Sequence, residues 1–139
     1  MREATKTTTA AKANQSVNHS VSDKHAIRMP CLDISTNVNL DAVDTDPLFS
    51  DLTQAVSRIV GVSENLVMIL IKGSVGLTFG GTKEAAAFAE IASMADINTN
   101  IKRQLISTIG SILETKLCIP KTRFVLKVFN ITSSSNSKL

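Results

Sequence analysis

Almost nothing apolar occurs in residues 1–28, and the first regular pattern begins at residue 31. Cys31-Leu32-Asp33-Ile34-Ser35-Thr36-Asn37-Val38 alternates apolar with polar side chains, the period of a half-buried strand. Asp44-Thr45-Asp46-Pro47 then predicts a turn and a helix start, with Asp46 as N-cap and Pro47 at the first helical position. Leu48, Leu52, Ala55, Val56, Ile59 and Val60 follow at helical spacing, and Gly61 supplies the stop. The run Leu66-Val67-Met68-Ile69-Leu70-Ile71 has strand length and no polar member, which predicts a strand covered on both faces. Gly73, Gly76, Gly80 and Gly81 punctuate a loop.

Residues 84–94 carry two conflicting signals. Their alanines favour a helix by propensity, and propensity taken alone predicts one, whereas Phe88, Glu90 and Ala92 alternate with Ala89, Ile91 and Ser93 as in a strand. Residues 98–117 are clearer: Ile101, Leu105, Ile109, Ile112, Leu113 and Leu117 trace one helical face. Cys118-Ile119-Pro120 closes that helix, and Arg123 to Phe129 reads as a last strand. If 84–94 is a strand, the body is strand-helix-strand written twice.

Size narrows the architecture further. The 139 residues allow one core, and 43% hydrophobic content with 4% aromatic content means a core of aliphatic side chains. That suits layered α/β or α+β packing. Residues 1–28 cannot offset the entropy of ordering and are expected to be disordered, as a transit-type leader or a dispensable upstream extension. No stretch approaches the roughly 18 apolar residues of a membrane-spanning helix, and no apolar secretory segment is present, so no membrane association is expected.

Charge and reactive side chains exclude several chemistries. Five basic and two acidic groups in residues 1–28 account for the whole net charge of +3, leaving ten of each sign in the remainder. A neutral body without a basic stripe or stacking aromatics lacks the footprint of nucleic-acid binding. His19 and His25 both lie in the leader, so no triad built on histidine fits the body. Cys31 and Cys118 are far apart in sequence and outside any metal-binding spacing, so neither a metal nor a disulfide framework is expected. The glycines of residues 73–81 lack phosphate-loop spacing.

The chain ends Ser137-Lys138-Leu139, the tripeptide read by the peroxisomal import receptor. Average residue usage produces this ending in roughly one chain in two thousand, which favours a targeting signal over a meaningless tail. Residues 131–139 are therefore expected to be a flexible tail presenting it, with the peroxisome as destination and the cytoplasm as the alternative.

Met29-Pro30-Cys31-Leu32-Asp33-Ile34-Ser35-Thr36-Asn37-Val38, Val67-Met68-Ile69, Lys72-Gly73-Ser74, Phe79-Gly80-Gly81-Thr82 and Leu113-Glu114-Thr115-Lys116-Leu117 follow one another in a recognisable order. With these segments, residues 29 to about 130 resemble macrophage migration inhibitory factor and its dopachrome tautomerase relatives, above all the plant-type members. The resemblance implies an α+β fold: duplicated β-α-β units forming a four-stranded sheet under two helices, with a strand within 84–94. It also implies a homotrimer.

The same resemblance implies a cofactor-free keto-enol tautomerase of small 2-oxo acids of the phenylpyruvate kind, with Pro30 as the base. A secondary amine buried among apolar groups loses its proton more readily, because desolvation disfavours the charged form. The amine must be free, which requires translation from Met29 or cleavage of the leader there. Ser93 and Met94 are implied to line the pocket. Several positions depart from the family: Val62 stands where relatives have lysine, Leu66 replaces an aromatic residue, and Val125 replaces a tyrosine. Lys127 replaces the asparagine of the inhibitory-factor branch and resembles the basic residue of the dopachrome branch. It reads either as a point-charge anchor for a substrate carboxylate or as a solvated strand lysine. A second functional expectation is a non-catalytic trimeric module, cytokine-like, for binding or signalling.

Overall fold

The alternation that begins at Cys31 forms strand β1, Cys31–Thr36, in a computed structural model that describes residues 29–131. Leu32, Ile34 and Thr36 are fully buried on one face, while Cys31, Asp33 and Ser35 lie on the other. Helix α1, Asp46–Val60, buries Leu48, Leu52, Ala55 and Val56 at the predicted spacing. Its start differs by one residue from the sequence expectation: Thr45 is the N-cap, and Asp46 is already helical. The cause is local, because Asp44 Oδ1 accepts from Asp46 N at 3.2 Å and draws Thr45 into a helical conformation. A 3₁₀ turn, Glu64–Leu66, leads into β2, Met68–Lys72.

Residues 84–94 contain strand β3, Ala87–Ser93, with Ala87, Ala89, Ile91 and Ser93 buried in strict alternation. The strand prediction taken from family resemblance therefore holds, and alanine propensity does not. Strand β3 pairs with a neighbour on each side, so its backbone groups gain more from two ladders than alanine gains from a helix. Helix α2, Thr99–Leu117, starts at Asn98, whose side chain accepts from Ile101 N, and buries Leu105, Ile109, Leu113 and Leu117. Strand β4, Phe124–Asn130, completes the sheet.

The sheet order is β2-β1-β3-β4, with β1 parallel to β2, β3 parallel to β4, and the two central strands antiparallel. Each parallel pair is bridged by one helix, so the molecule is one β-α-β unit repeated about an approximate two-fold axis. Both helices pack on the same face, and the core is the layer between them and the sheet. The other face stays open. Its residues run across the strands in rows, Met68-Cys31-Ala92-Phe129 and Leu70-Asp33-Glu90-Lys127 among them. The expectation that the Leu66–Ile71 run is covered on both sides is thus corrected. Strand β2 is an edge strand whose open face leaves Met68 55% and Leu70 46% exposed.

Two side chains anchor the long connection from β2 to β3. Asn37 Nδ2 donates to the carbonyls of Leu77, Lys83 and Glu84, and its Oδ1 accepts from Ala86 N. Arg123 donates to the carbonyls of Phe79, Thr82, Glu84 and Ala85, with its guanidinium 5.3 Å from the centroid of the Phe79 ring. Gly73 opens this connection in close contact with the loop after β1. A Cβ there would lie 2.6 Å from Leu40 Cγ and 3.0 Å from the Val38 carbonyl oxygen. Gly73→Ala is therefore expected to destabilise the fold by about 1–3 kcal/mol, as overpacking does, seen as a lower urea midpoint. An unchanged midpoint would mean that Leu40 moves aside freely.

Candidate functional site

Pro30 is fully buried and enters β1 directly, its carbonyl accepting from Met68 N at 3.0 Å. That bond turns the Pro30 backbone toward β2, and the bond from Ile131 N to the Ser93 carbonyl, 3.0 Å, turns Ser93 toward β4. One step beyond the Cys31↔Ala92 pair, Pro30 thus stands abreast of Ser93 in a non-hydrogen-bonded slot, where opposed Cα atoms are about 4.5 Å apart. Ser93 is likewise buried, and its Oγ accepts from Ala95 N at 3.1 Å. Met94, half-buried, follows at once.

Helix α1 ends at the same end of the sheet. Gly61 adopts φ 84°, a left-handed conformation that costs glycine little, and its N–H donates to the Ser57 carbonyl. Val62 N donates to that carbonyl too, and Ser57 Oγ donates back to the Val62 carbonyl at 2.6 Å. The turn that carries Val62 is therefore tied to the helix by three bonds before the chain passes Leu66 and meets Pro30 at β2. Pro30, Ser93, Met94 and Val62 gather at this end.

Lys127 and Val125 do not join them. Both are exposed on the open face of β4, the edge strand opposite β2. Lys127 pairs in register with Glu90, which pairs with Asp33. Pro30 and Lys127 are thus two strands and three residues apart, about 14 Å between Cα atoms at ordinary strand spacing, with side chains on opposite faces. A small substrate cannot touch both within one chain.

Electrostatics on the open face are mild. Lys72 Nζ lies 3.2 Å from Asp33 Oδ1 and 3.4 Å from Oδ2, with hydrogen-bond geometry only to Oδ2, so Oδ1 is held by charge without a directed bond. Exposure of both partners keeps the pair weak. Burial first, and the nearby Asp33 carboxylate second, push the Cys31 thiol up from its ordinary range, so it is held as the less reactive thiol form. Cys118 is exposed at the end of α2. Among the described residues no cluster of histidine, cysteine and carboxylate side chains is arranged to hold a metal, and no helix is long and apolar enough to cross a membrane. Ser137, Lys138 and Leu139, with His19 and His25, lie outside the described residues.

A concavity of about 460 Å³ occurs beside the far end of β1, lined by Asn37, Lys83 and residues 74–78. None of the expected site residues faces it. Sequence reading did not single out Asn37 or Arg123 as organisers of that region, because donors to distant backbone carbonyls leave no local spacing signal.

The sequence model of the macrophage migration inhibitory factor family matches residues 29–138. A macrophage migration inhibitory factor homolog of Trichinella spiralis is 29% identical over 103 residues, covering 74% of this chain and 90% of that protein. The counterpart from Brugia malayi is 23% identical over 107 residues, covering 77% and 92%. The solved structure of the Trichinella spiralis protein aligns with TM-score 0.68 at 27% identity, covering 73% of this chain and 89% of that one. A homologue from Prochlorococcus marinus aligns at TM-score 0.70 with 21% identity, covering 74% and 90%, a likeness of fold.

Proposed function

The chain belongs to the macrophage migration inhibitory factor family, and from that premise we propose that it is a cofactor-free keto-enol tautomerase of small 2-oxo acids of the phenylpyruvate kind, with Pro30 as its base. The observation that carries this reading is the complete burial of Pro30 at the entrance of β1, beside the buried Ser93. A free imino group there is drained of water, which lowers its affinity for a proton, so it is neutral and basic near pH 7. It takes a proton from the carbon next to the substrate carbonyl as the electron pair moves onto the oxygen. Returning that proton to the oxygen gives the enol and restores the amine, with no net change of redox state. Val62 and Met94 supply apolar walls, and Ser93, abreast of Pro30 on the neighbouring strand, supplies a polar group.

The separation of Pro30 from Lys127 supports a site made by two copies. In this reading three chains close into a ring by heterologous contacts. The exposed edge of β4, with Val125 and Phe129, then meets the end of a neighbour that presents Pro30, and Lys127 of one copy holds the carboxylate of the acid bound by the next. The same association covers Met68 and Leu70. The amine is free only when residue 29 is absent, through initiation at Met29 and loss of that methionine or through removal of the leader. Ser137-Lys138-Leu139 supports recognition by the peroxisomal import receptor and a peroxisomal location.

The test is turnover of phenylpyruvate by the chain beginning at Pro30, beside Pro30→Gly in the same form. The substitution is expected to lower the rate by about 10²-fold or more. Equal rates eliminate the proline mechanism. Val62, at the same end of the sheet as Pro30, brings no charge to the site, and this favours a second reading, a non-catalytic binding or signalling module. Absence of turnover from a correctly begun, folded chain selects it.

A further inference from the structure

Lys127 has two neighbours that compete for its ammonium group. Glu90 stands abreast of it on β3, on the same open face. Phe129, two residues along β4, presents its ring 5.4 Å from Lys127 Nζ. In the structure the ring has it: the ion pairs among the described residues are Lys72–Asp33 and Lys116–Asp51, and Lys127 forms none with Glu90. Asp33 is one strand further away and is already engaged by Lys72. These groups are the charged neighbours of Lys127 on the sheet of a single chain, in which β4 is an edge.

The two arrangements differ in what they leave available. Paired with Glu90, the ammonium would be neutralised and turned inward across the sheet. Held over the Phe129 ring, it keeps its full positive charge, because an aromatic face attracts a cation without neutralising it. We propose that Phe129 is a positioning residue which keeps Lys127 away from Glu90 and available to the carboxylate of a 2-oxo acid. This rests on the reading of Lys127 as the substrate anchor. Phe129 itself touches no reacting atom.

The test uses the chain beginning at Pro30 and two readouts. The first is steady-state turnover of phenylpyruvate. Phe129→Leu is expected to raise KM roughly three- to ten-fold with kcat little changed, since a cation held by a ring of this exposure is stabilised only modestly. Phe129→Tyr, which keeps a ring, should restore the original KM. Phe129→Leu with Glu90→Gln should also restore it by removing the competing carboxylate. The second readout is calorimetric binding of benzoylformate, a 2-oxo acid without a transferable proton, to the Pro30→Gly chain. Binding weakened by Lys127→Ala and by Phe129→Leu, and recovered with Glu90→Gln, supports the proposal even where turnover is absent and the proline base has failed. Benzoylformate binding indifferent to Phe129→Leu, or a defect that Glu90→Gln leaves in place, overturns it. A fall in kcat and melting temperature together, without a change in KM, would mark Phe129 as structural and overturn it equally.

Discussion

A chain whose first residue is Pro30 should turn over phenylpyruvate at least about 100-fold faster than the same chain carrying residues 1–29. The reason lies in one bond. Joined to Met29, the ring nitrogen is a tertiary amide whose lone pair is delocalised into the carbonyl, and it can neither take nor return a proton. The surroundings offer no ready substitute: Ser93 is an alcohol, Val62 and Met94 are apolar, and the raised Cys31 thiol points to the opposite face of the sheet. Folding should be nearly the same in both forms, because the contacts that fix Pro30 are its carbonyl bond to Met68 N and its burial. Thermal melting of each form checks this, and enol formation followed by ultraviolet absorbance gives the rates. Equal rates, or a faster leader-bearing chain, would place the base elsewhere and remove the mechanism.

The second large effect is complementation between two inactive variants. Pro30→Gly lacks the base and Lys127→Ala lacks the anchor, and each alone should have low activity toward a 2-oxo acid. If Pro30 and Lys127 of a site come from different copies, random co-assembly rebuilds a complete site wherever a Lys127→Ala chain meets a Pro30→Gly neighbour in the right order. That occurs at about one quarter of sites in a ring with heterologous contacts. Mixed assemblies, refolded together from equal amounts, should therefore recover about a quarter of the unmodified activity. The single-chain geometry motivates the figure, since β1 and β4 are separated by β3 and the two side chains leave opposite faces of the sheet. Recovery no greater than the sum of the separate variants would refute a site shared between copies.

Much of this architecture was legible because its periodicities are local. The inward positions of β1 and the apolar stripes of both helices follow from spacing alone, and the glycine after α1 adopts the left-handed conformation its position required. The one-residue shift at the start of α1 arises from a side-chain bond of Asp44 that spacing rules do not weigh. Residues 84–94 are more instructive. Composition there prefers a helix, family resemblance predicts a strand, and the strand forms because β1 and β4 both stand ready to pair with it. The apolar run 66–71 misleads in the other direction, since its uniform hydrophobicity implies two covered faces while the single chain covers one.

The site divides along the same line. Pro30 at the entrance of a strand, Gly61-Val62 at the end of a helix and Lys127 within a strand were visible as positions in the sequence, and resemblance to a family attached chemistry to them. Asn37 and Arg123 were not visible as organisers, because each works through carbonyls about 40 residues away. By itself, then, the sequence determined both helices, the first and last strands, the faces these bury and the position of the candidate proline, since these depend on near neighbours along the chain. Tertiary structure alone decided that the pairing of Ala87–Ser93 on both sides outweighs its alanine propensity, that Pro30 lies beside Ser93 and far from Lys127, and that Lys127 meets Phe129 before Glu90. Those outcomes depend on which strands lie side by side, and pairing energy between distant segments is not written in any local pattern.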